Sequence, residues 1–141
     1  MTQEERMLLI KDLSTRLPYA VTVEHTSGFR GTLHDLTVYH MYDDNDNVYD
    51  AICYTDFFGD EDDIYIEYFK PYLFPISSMT KEQRCELHDL IHNLNVLAIN
   101  GEMGDWIVSS SEIDWYNKHH IDYRGLIEKG LALDATGKNI Y

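Results

Sequence analysis

Leu17-Pro18-Tyr19-Ala20-Val21-Thr22-Val23-Glu24-His25 is the stretch on which the fold turns. From Tyr19 the residues alternate, Tyr19, Val21 and Val23 against Ala20, Thr22 and Glu24, the period of two that a strand with one buried face requires. Before it the apolar residues keep helical spacing: Leu9, Leu13, Arg16 and Leu17 form a stripe broadened by Met7, Leu8 and Ile10. Leu17-Pro18 separates the two regimes because a residue preceding proline is pushed out of α geometry. Thr2-Gln3-Glu4-Glu5 is a capping box, so a helix is predicted over about residues 2 to 17.

Toward the C-terminus the first strand ends near His25, and Ser27-Gly28-Phe29-Arg30-Gly31 supplies a turn. Thr32 to Tyr42 is rich in β-branched and aromatic residues, but Leu33 and Leu36 fall on opposite phases. A bulge near His34-Asp35 would let both face inward. Asp43-Asp44-Asn45-Asp46-Asn47 leads to a strand over Val48 to Phe57, and Gly59-Asp60-Glu61-Asp62 to another over Ile64 to Tyr68. The expectation is a four-stranded antiparallel meander, with an SH3-like barrel as its closed form, ended by Pro71 and Pro75.

Thr80 and Gln83 make a second capping box before a helix to about Leu97, with an apolar stripe of Leu87, Leu90, Ile91, Leu94 and Ala98. Asn100 to Gly104 reads as a loop and Ser109 to Lys118 as a short helix, with Ser109 and Glu112 as a third box. Asp122 is placed to cap a final helix ending at Gly130. The chain is therefore read as one α+β domain over residues 1–141: an N-terminal helix, the meander, then two or three C-terminal helices.

The 141 residues carry 11 Lys and Arg against 25 Asp and Glu, a formal charge of −14. Such a balance argues against nucleic acid or an anionic membrane face as a direct partner. A composition 44% hydrophobic and 26% charged is that of a globular chain, which at this size needs neither metal nor disulfide to build a core. Met1 to Ile10 lacks the pattern of a secretory signal, and no apolar run approaches the roughly 20 residues of a membrane span. The expected location is the cytoplasm, with Cys53 and Cys85 as free thiols.

Charge is unevenly placed. Between Arg30 and Lys70 there is no Lys or Arg, while eleven acids lie there: Asp35, Asp43, Asp44, Asp46, Asp50, Asp56, Asp60, Glu61, Asp62, Asp63 and Glu67. One reading is solubility and protection of sheet edges. The sharper one is an anionic platform that docks a basic protein surface, or imitates the phosphates a DNA-binding protein expects. Seven of the eleven tyrosines lie between Tyr39 and Tyr72, and tyrosine suits both half-buried sheet positions and interfaces. The candidate docking residues are Asp43, Asp44, Asp46, Tyr49, Asp60, Glu61, Asp62, Asp63 and Tyr65. A calcium EF-hand is excluded in Asp43 to Tyr54, because Val48 and Tyr54 stand where that loop needs glycine and a bidentate glutamate.

A second pattern is Cys85-Glu-Leu-His88-Asp-Leu-Ile-His92. At helical spacing Cys85, His88 and His92 share the side opposite Leu87, Leu90 and Leu94, and zinc accepts those donor types. The alternative to a metal face, or a metalloenzyme, is a solvated helix surface; Asp89 stands where the H-E-x-x-H motif needs glutamate, and a third histidine would have to fold back from His119 or His120. No nucleophile elbow or phosphate-binding glycine motif occurs, so no catalytic residue and no cofactor is assigned. His119 to Gly125 is a dense polar cluster that reads either as a site or as a buried network anchoring the C-terminal segment.

Phe69-Lys-Pro-Tyr-Leu-Phe-Pro-Ile-Ser-Ser-Met-Thr80, Tyr116-Asn-Lys-His-His-Ile-Asp-Tyr-Arg-Gly-Leu-Ile-Glu-Lys-Gly-Leu-Ala-Leu133 and the opening Met1 to Pro18 resemble short proteins of unassigned role from gut anaerobic bacteria and their prophages. The resemblance covers about half of the chain and implies a bacterial or phage context and a compact domain, with nothing catalytic. Together these observations predict a non-enzymatic, protein-binding module.

Overall fold

The computed structural model describes residues 1–37, 41–42, 48–49, 52–55, 62–99 and 105–141, with side chains for 1–37, 65–97 and 109–141. Helix α1 is Gln3–Arg16, capped as its sequence dictates: Glu5 N–H donates to the Thr2 hydroxyl at 3.1 Å while Thr2 N–H donates to the Glu5 carboxylate at 2.7 Å. The chain then makes a 3-10 turn over Leu17–Tyr19, and Ala20 takes a left-handed φ of 52°. Strand β1, Thr22–His25, therefore starts later than the alternation suggested, because the proline-induced turn takes in Tyr19.

β2 is Arg30–Thr37, antiparallel to β1. β3 (Met41–Tyr42) and β4 (Val48–Tyr49) pair in a small ribbon, and residues 38–40 and 50–51 of the expected second and third strands lie outside the described residues. β5 (Ile52–Thr55) pairs with β2, and β6 (Asp62–Tyr65) with β5, both antiparallel. The register slips between Leu33 and Asp35, the bulge that the phase conflict called for. As a result Leu33 is fully buried and Leu36 packs against the same core.

The prolines do not end the sheet: after a 3-10 turn, Ile66–Tyr68, strand β7 (Phe69–Pro75) pairs antiparallel with β1. Thr26 N–H donates to the Tyr68 carbonyl at 2.9 Å, so with a period of two Tyr68 and Lys70 turn their hydrogen-bonding groups to β1. Pro71, opposite Val23, turns its missing N–H away. Nor is the sheet an antiparallel meander closed on itself. Its order is β6-β5-β2-β1-β7-β8, and β7 pairs in parallel with both β8 (Ile121–Asp122) and β9 (Leu133–Asp134). The sheet is mixed and open, since a returning segment from the C-terminus supplies parallel partners that local alternation cannot reveal.

Helix α2, Lys81–Ile99, begins with the second capping box, Gln83 N–H to the Thr80 hydroxyl at 3.1 Å and Thr80 N–H to the Gln83 side chain at 2.9 Å. Helix α3 is Asp105–Lys118, so Ser109 lies inside it rather than at its cap. The final helix is absent from the described residues: 123–130 form successive turns, and Asp122 accepts from the N–H groups of Leu126 and Ile127, both at 2.8 Å.

Two apolar clusters hold these elements. Leu9, Ile10 and Leu13 of α1 pack with Val21, Val23, Leu33, Ile66, Phe69, Leu73, Leu126 and Leu131. Met79, Leu87, Trp115 and Ile121 join α2, α3 and β8, with Leu90 and Ile91 of the predicted stripe against them. Each fully buried leucine contributes about 2 kcal/mol.

Candidate functional site

Among the described residues, the β1–β2 turn, the end of β6 and the turn after it carry three exposed aromatic residues, a fourth, Tyr141, lying at the C-terminus. Gly28, at φ +88°, lets the turn close, with His25 N–H donating to Phe29 O and Gly28 N–H to His25 O, both at 2.8 Å. The hydrogen bond from Thr26 to Tyr68 O joins this turn to the 3-10 segment Ile66–Tyr68. The His25 ring lies 5.9 Å from Tyr68 and 5.8 Å from Phe69, and Tyr68 meets Tyr65 edge-on at 6.3 Å. Phe29, Tyr65 and Tyr68 are 50%, 48% and 45% exposed. Tyr65 and Tyr68 thus offer adjoining rings to solvent, and Phe29 is exposed in the turn that Thr26 joins to Tyr68.

Tyr65 is the one sequence-predicted docking residue whose side chain is described. Asp43, Asp44, Asp46, Asp60 and Glu61 lie outside the described residues; Tyr49 sits in β4 and Asp62 and Asp63 in β6, their side chains outside the description. Tyr68 belongs to the tyrosine-rich stretch Tyr39 to Tyr72 but not to the candidate docking residues, and Phe29 and His25 belong to neither. The glycine turn at Gly28 directly before Phe29, and the strand end at Tyr65, were the available signals.

Tyr72 belongs elsewhere. It is buried, its hydroxyl donates to Glu24, and Arg30 and Lys138 lie over its ring at 5.0 and 5.3 Å. Burial, then the bond to Glu24, raises its phenol pKa, while the Tyr72 hydrogen bond and Arg30 lower that of the Glu24 carboxyl.

On α2, His88 and His92 stack in parallel at 6.4 Å, His88 strongly exposed and 3.5 Å from Asp89, and Cys85 is an exposed free thiol. Among the described residues no group of three or more His, Cys, Asp or Glu is placed to hold a metal ion. Neither later histidine joins them. His119 stacks on Trp115 at 4.0 Å and donates to the Trp115 carbonyl at 2.9 Å, and His120 stacks on Tyr141 at 3.7 Å.

The polar cluster of His119 to Gly125 is instead a buried lock. Asp12 and Arg16 are fully buried; Arg16 donates to the Asp12 carboxylate at 2.6 and 3.1 Å and to the Ile121 carbonyl at 2.9 Å, and Arg124 donates to Asp12 at 3.2 Å. Tyr123 stacks on Tyr116 and lies under both arginines. This ties α1 to β8. Burial, with Arg16 and His119 nearby, pushes the His120 pKa down to about 4. The Tyr141 hydroxyl donates to Tyr72 O at 2.7 Å and accepts from Thr22 N–H at 3.2 Å, and burial pushes its pKa up to about 12. No helix among the described residues is long and apolar enough to cross a membrane.

A scan against family models, a search of curated proteins and a search of solved structures each found no match.

Proposed function

We infer that the chain is a non-enzymatic protein-binding module whose docking surface is the aromatic end of the sheet and whose partner presents a basic face. The observation that carries this is the exposure of Phe29, Tyr65 and Tyr68 in a chain whose stretch from Arg30 to Lys70 holds eleven acids and no Lys or Arg between them. Tyrosine rings and carboxylates are the two groups that receive arginine and lysine, by cation–π contact and by charge-assisted hydrogen bonds. A cytoplasmic setting in a bacterium or its prophage fits the resemblance of the opening, the Phe69 to Thr80 segment and the Tyr116 to Leu133 segment. A DNA-binding protein is one partner of this chemistry, and competition with DNA identifies that case.

The test uses a lysine- and arginine-rich peptide as probe. Binding should weaken steeply with salt, and Tyr65→Ser with Tyr68→Ser should weaken it about tenfold although the charge stays at −14. Equal binding by the double variant reduces the attraction to net charge alone and overturns the assignment.

A further inference from the structure

The Tyr141 ring occupies a slot where the pairing of β1 with β7 comes to an end, beyond Val23 opposite Pro71. Its hydroxyl accepts from Thr22 N–H at 3.2 Å and donates to the Tyr72 carbonyl at 2.7 Å. A single atom must both accept and donate there, which a hydroxyl does and an ether or an alkyl group does not. The His120 ring lies flat against the Tyr141 ring, 3.7 Å away and 7° from parallel, and Phe74 flanks it at 5.9 Å and 51°. With its pKa near 4, His120 meets that ring as a neutral aromatic at neutral pH. The wall is itself fixed: Phe74 N–H donates to His120 O at 2.8 Å, and His120 N–H to Asn117 O at 3.1 Å. Thr22, Tyr72, Phe74 and His120 therefore make a slot shaped for a phenol, and none of them belongs to the segment that brings Tyr141.

That segment is lightly tethered. Thr136 to Asn139 are exposed, and the backbone turns through left-handed residues at Gly137, φ 71°, and Asn139, φ 51°. Lys138 N–H bonds Ala135 O at 3.1 Å within the turn, and beyond it the Tyr141 ring fastens the segment to the sheet. Tyr141 is nonetheless 46% exposed, so an incoming molecule can reach the slot. We propose that this slot is a phenol-binding site, with Tyr141 as its resident and exchangeable occupant. It takes a para-substituted phenol, either a free small molecule or a tyrosine side chain of another polypeptide, through the Thr22 N–H, the Tyr72 carbonyl and the His120 ring. The site does not rest on the function inferred above.

The experiment titrates the full chain and its Tyr141→Ala variant with p-cresol, Nα-acetyl-tyrosine amide, 4-methylanisole and toluene, following backbone amide and tyrosine ring shifts by NMR. In the variant, saturable shifts centred on Thr22, Leu73, Phe74 and His120 are expected for the two phenols. 4-Methylanisole and toluene, which cannot donate to Tyr72 O, should bind about tenfold more weakly. The unsubstituted chain should bind the phenols more weakly than the variant, because Tyr141 competes, and its Tyr141 ring resonances should move to those of an unstacked tyrosine as p-cresol is added. Tighter binding of the tyrosine derivative points to a polypeptide, and tighter binding of p-cresol to a free phenol. Toluene or 4-methylanisole binding as tightly as p-cresol, or shifts in the variant that do not saturate or lie outside the slot, would overturn the proposal. So would Tyr141 ring resonances left unmoved in the unsubstituted chain at the solubility limit of p-cresol, a readout that stands even where the variant does not fold.

Discussion

Asp12 and Arg16 show how one residue pair can decide stability. Both are fully buried, and Asp12 also receives Arg124, so removing the carboxylate leaves charge stranded in the core. Asp12→Ala should cost about 3 kcal/mol or more in urea unfolding. Arg6→Gln, which breaks the more exposed pair with Glu67, should cost under about 1 kcal/mol. A similar cost for both would refute the lock. The pair was half legible: Arg16 fell on the apolar stripe of α1, and Asp12 stood one turn before it. That an aspartate would be buried there depends on Ile121 and Arg124, over a hundred residues away, which local spacing does not encode.

His120 carries the pH dependence. Its folded pKa of about 4 lies below the ordinary 6.5, so below pH 6.5 the unfolded chain takes up a proton that the folded chain refuses. The stabilisation is complete above pH 6.5 and declines as pH falls through 4. His120 sits at φ +55°, a conformation that asparagine tolerates. His120→Asn should therefore flatten the pH profile of the unfolding free energy between pH 6.5 and 4; an unchanged slope would contradict the assignment.

At the scale of elements, the sequence is most readable where structure is local. Thr2 with Glu5 and Thr80 with Gln83 form their capping boxes, and the phase conflict of Leu33 and Leu36 produces its bulge. Thr80→Ala should lower stability by about 1 kcal/mol and raise amide exchange in the first turn of α2. What sequence could not show is the non-local half of the sheet. β7 reads as a stop because of Pro71 and Pro75, yet becomes an inner strand because β1 does not need the Pro71 N–H. Its parallel partners β8 and β9 are two residues each, too short to carry a period. Asp122 was legible as a capping residue, but Gly125 and Gly130, at φ near +70°, break the following segment into turns. Tyr141 closes that segment over β7, and Tyr141→Phe, which removes the bond to Tyr72 O and leaves Thr22 N–H without its acceptor, should cost about 1 kcal/mol.

Over the whole molecule the dominant quantity is charge. A chain at −14 repels itself, so added salt should raise the unfolding temperature at neutral pH while it weakens binding to a basic partner. The proposed docking face was partly legible: the charge segregation and Tyr65 stood out, whereas Phe29 is brought toward Tyr68 by the turn whose Thr26 N–H bonds Tyr68 O. The most direct measurement is amide-shift mapping of the bound lysine- and arginine-rich peptide. Perturbations should concentrate on residues 25–30 and 62–68. Perturbations confined to α1, α2 and α3, with the aromatic end of the sheet unchanged, would contradict the account.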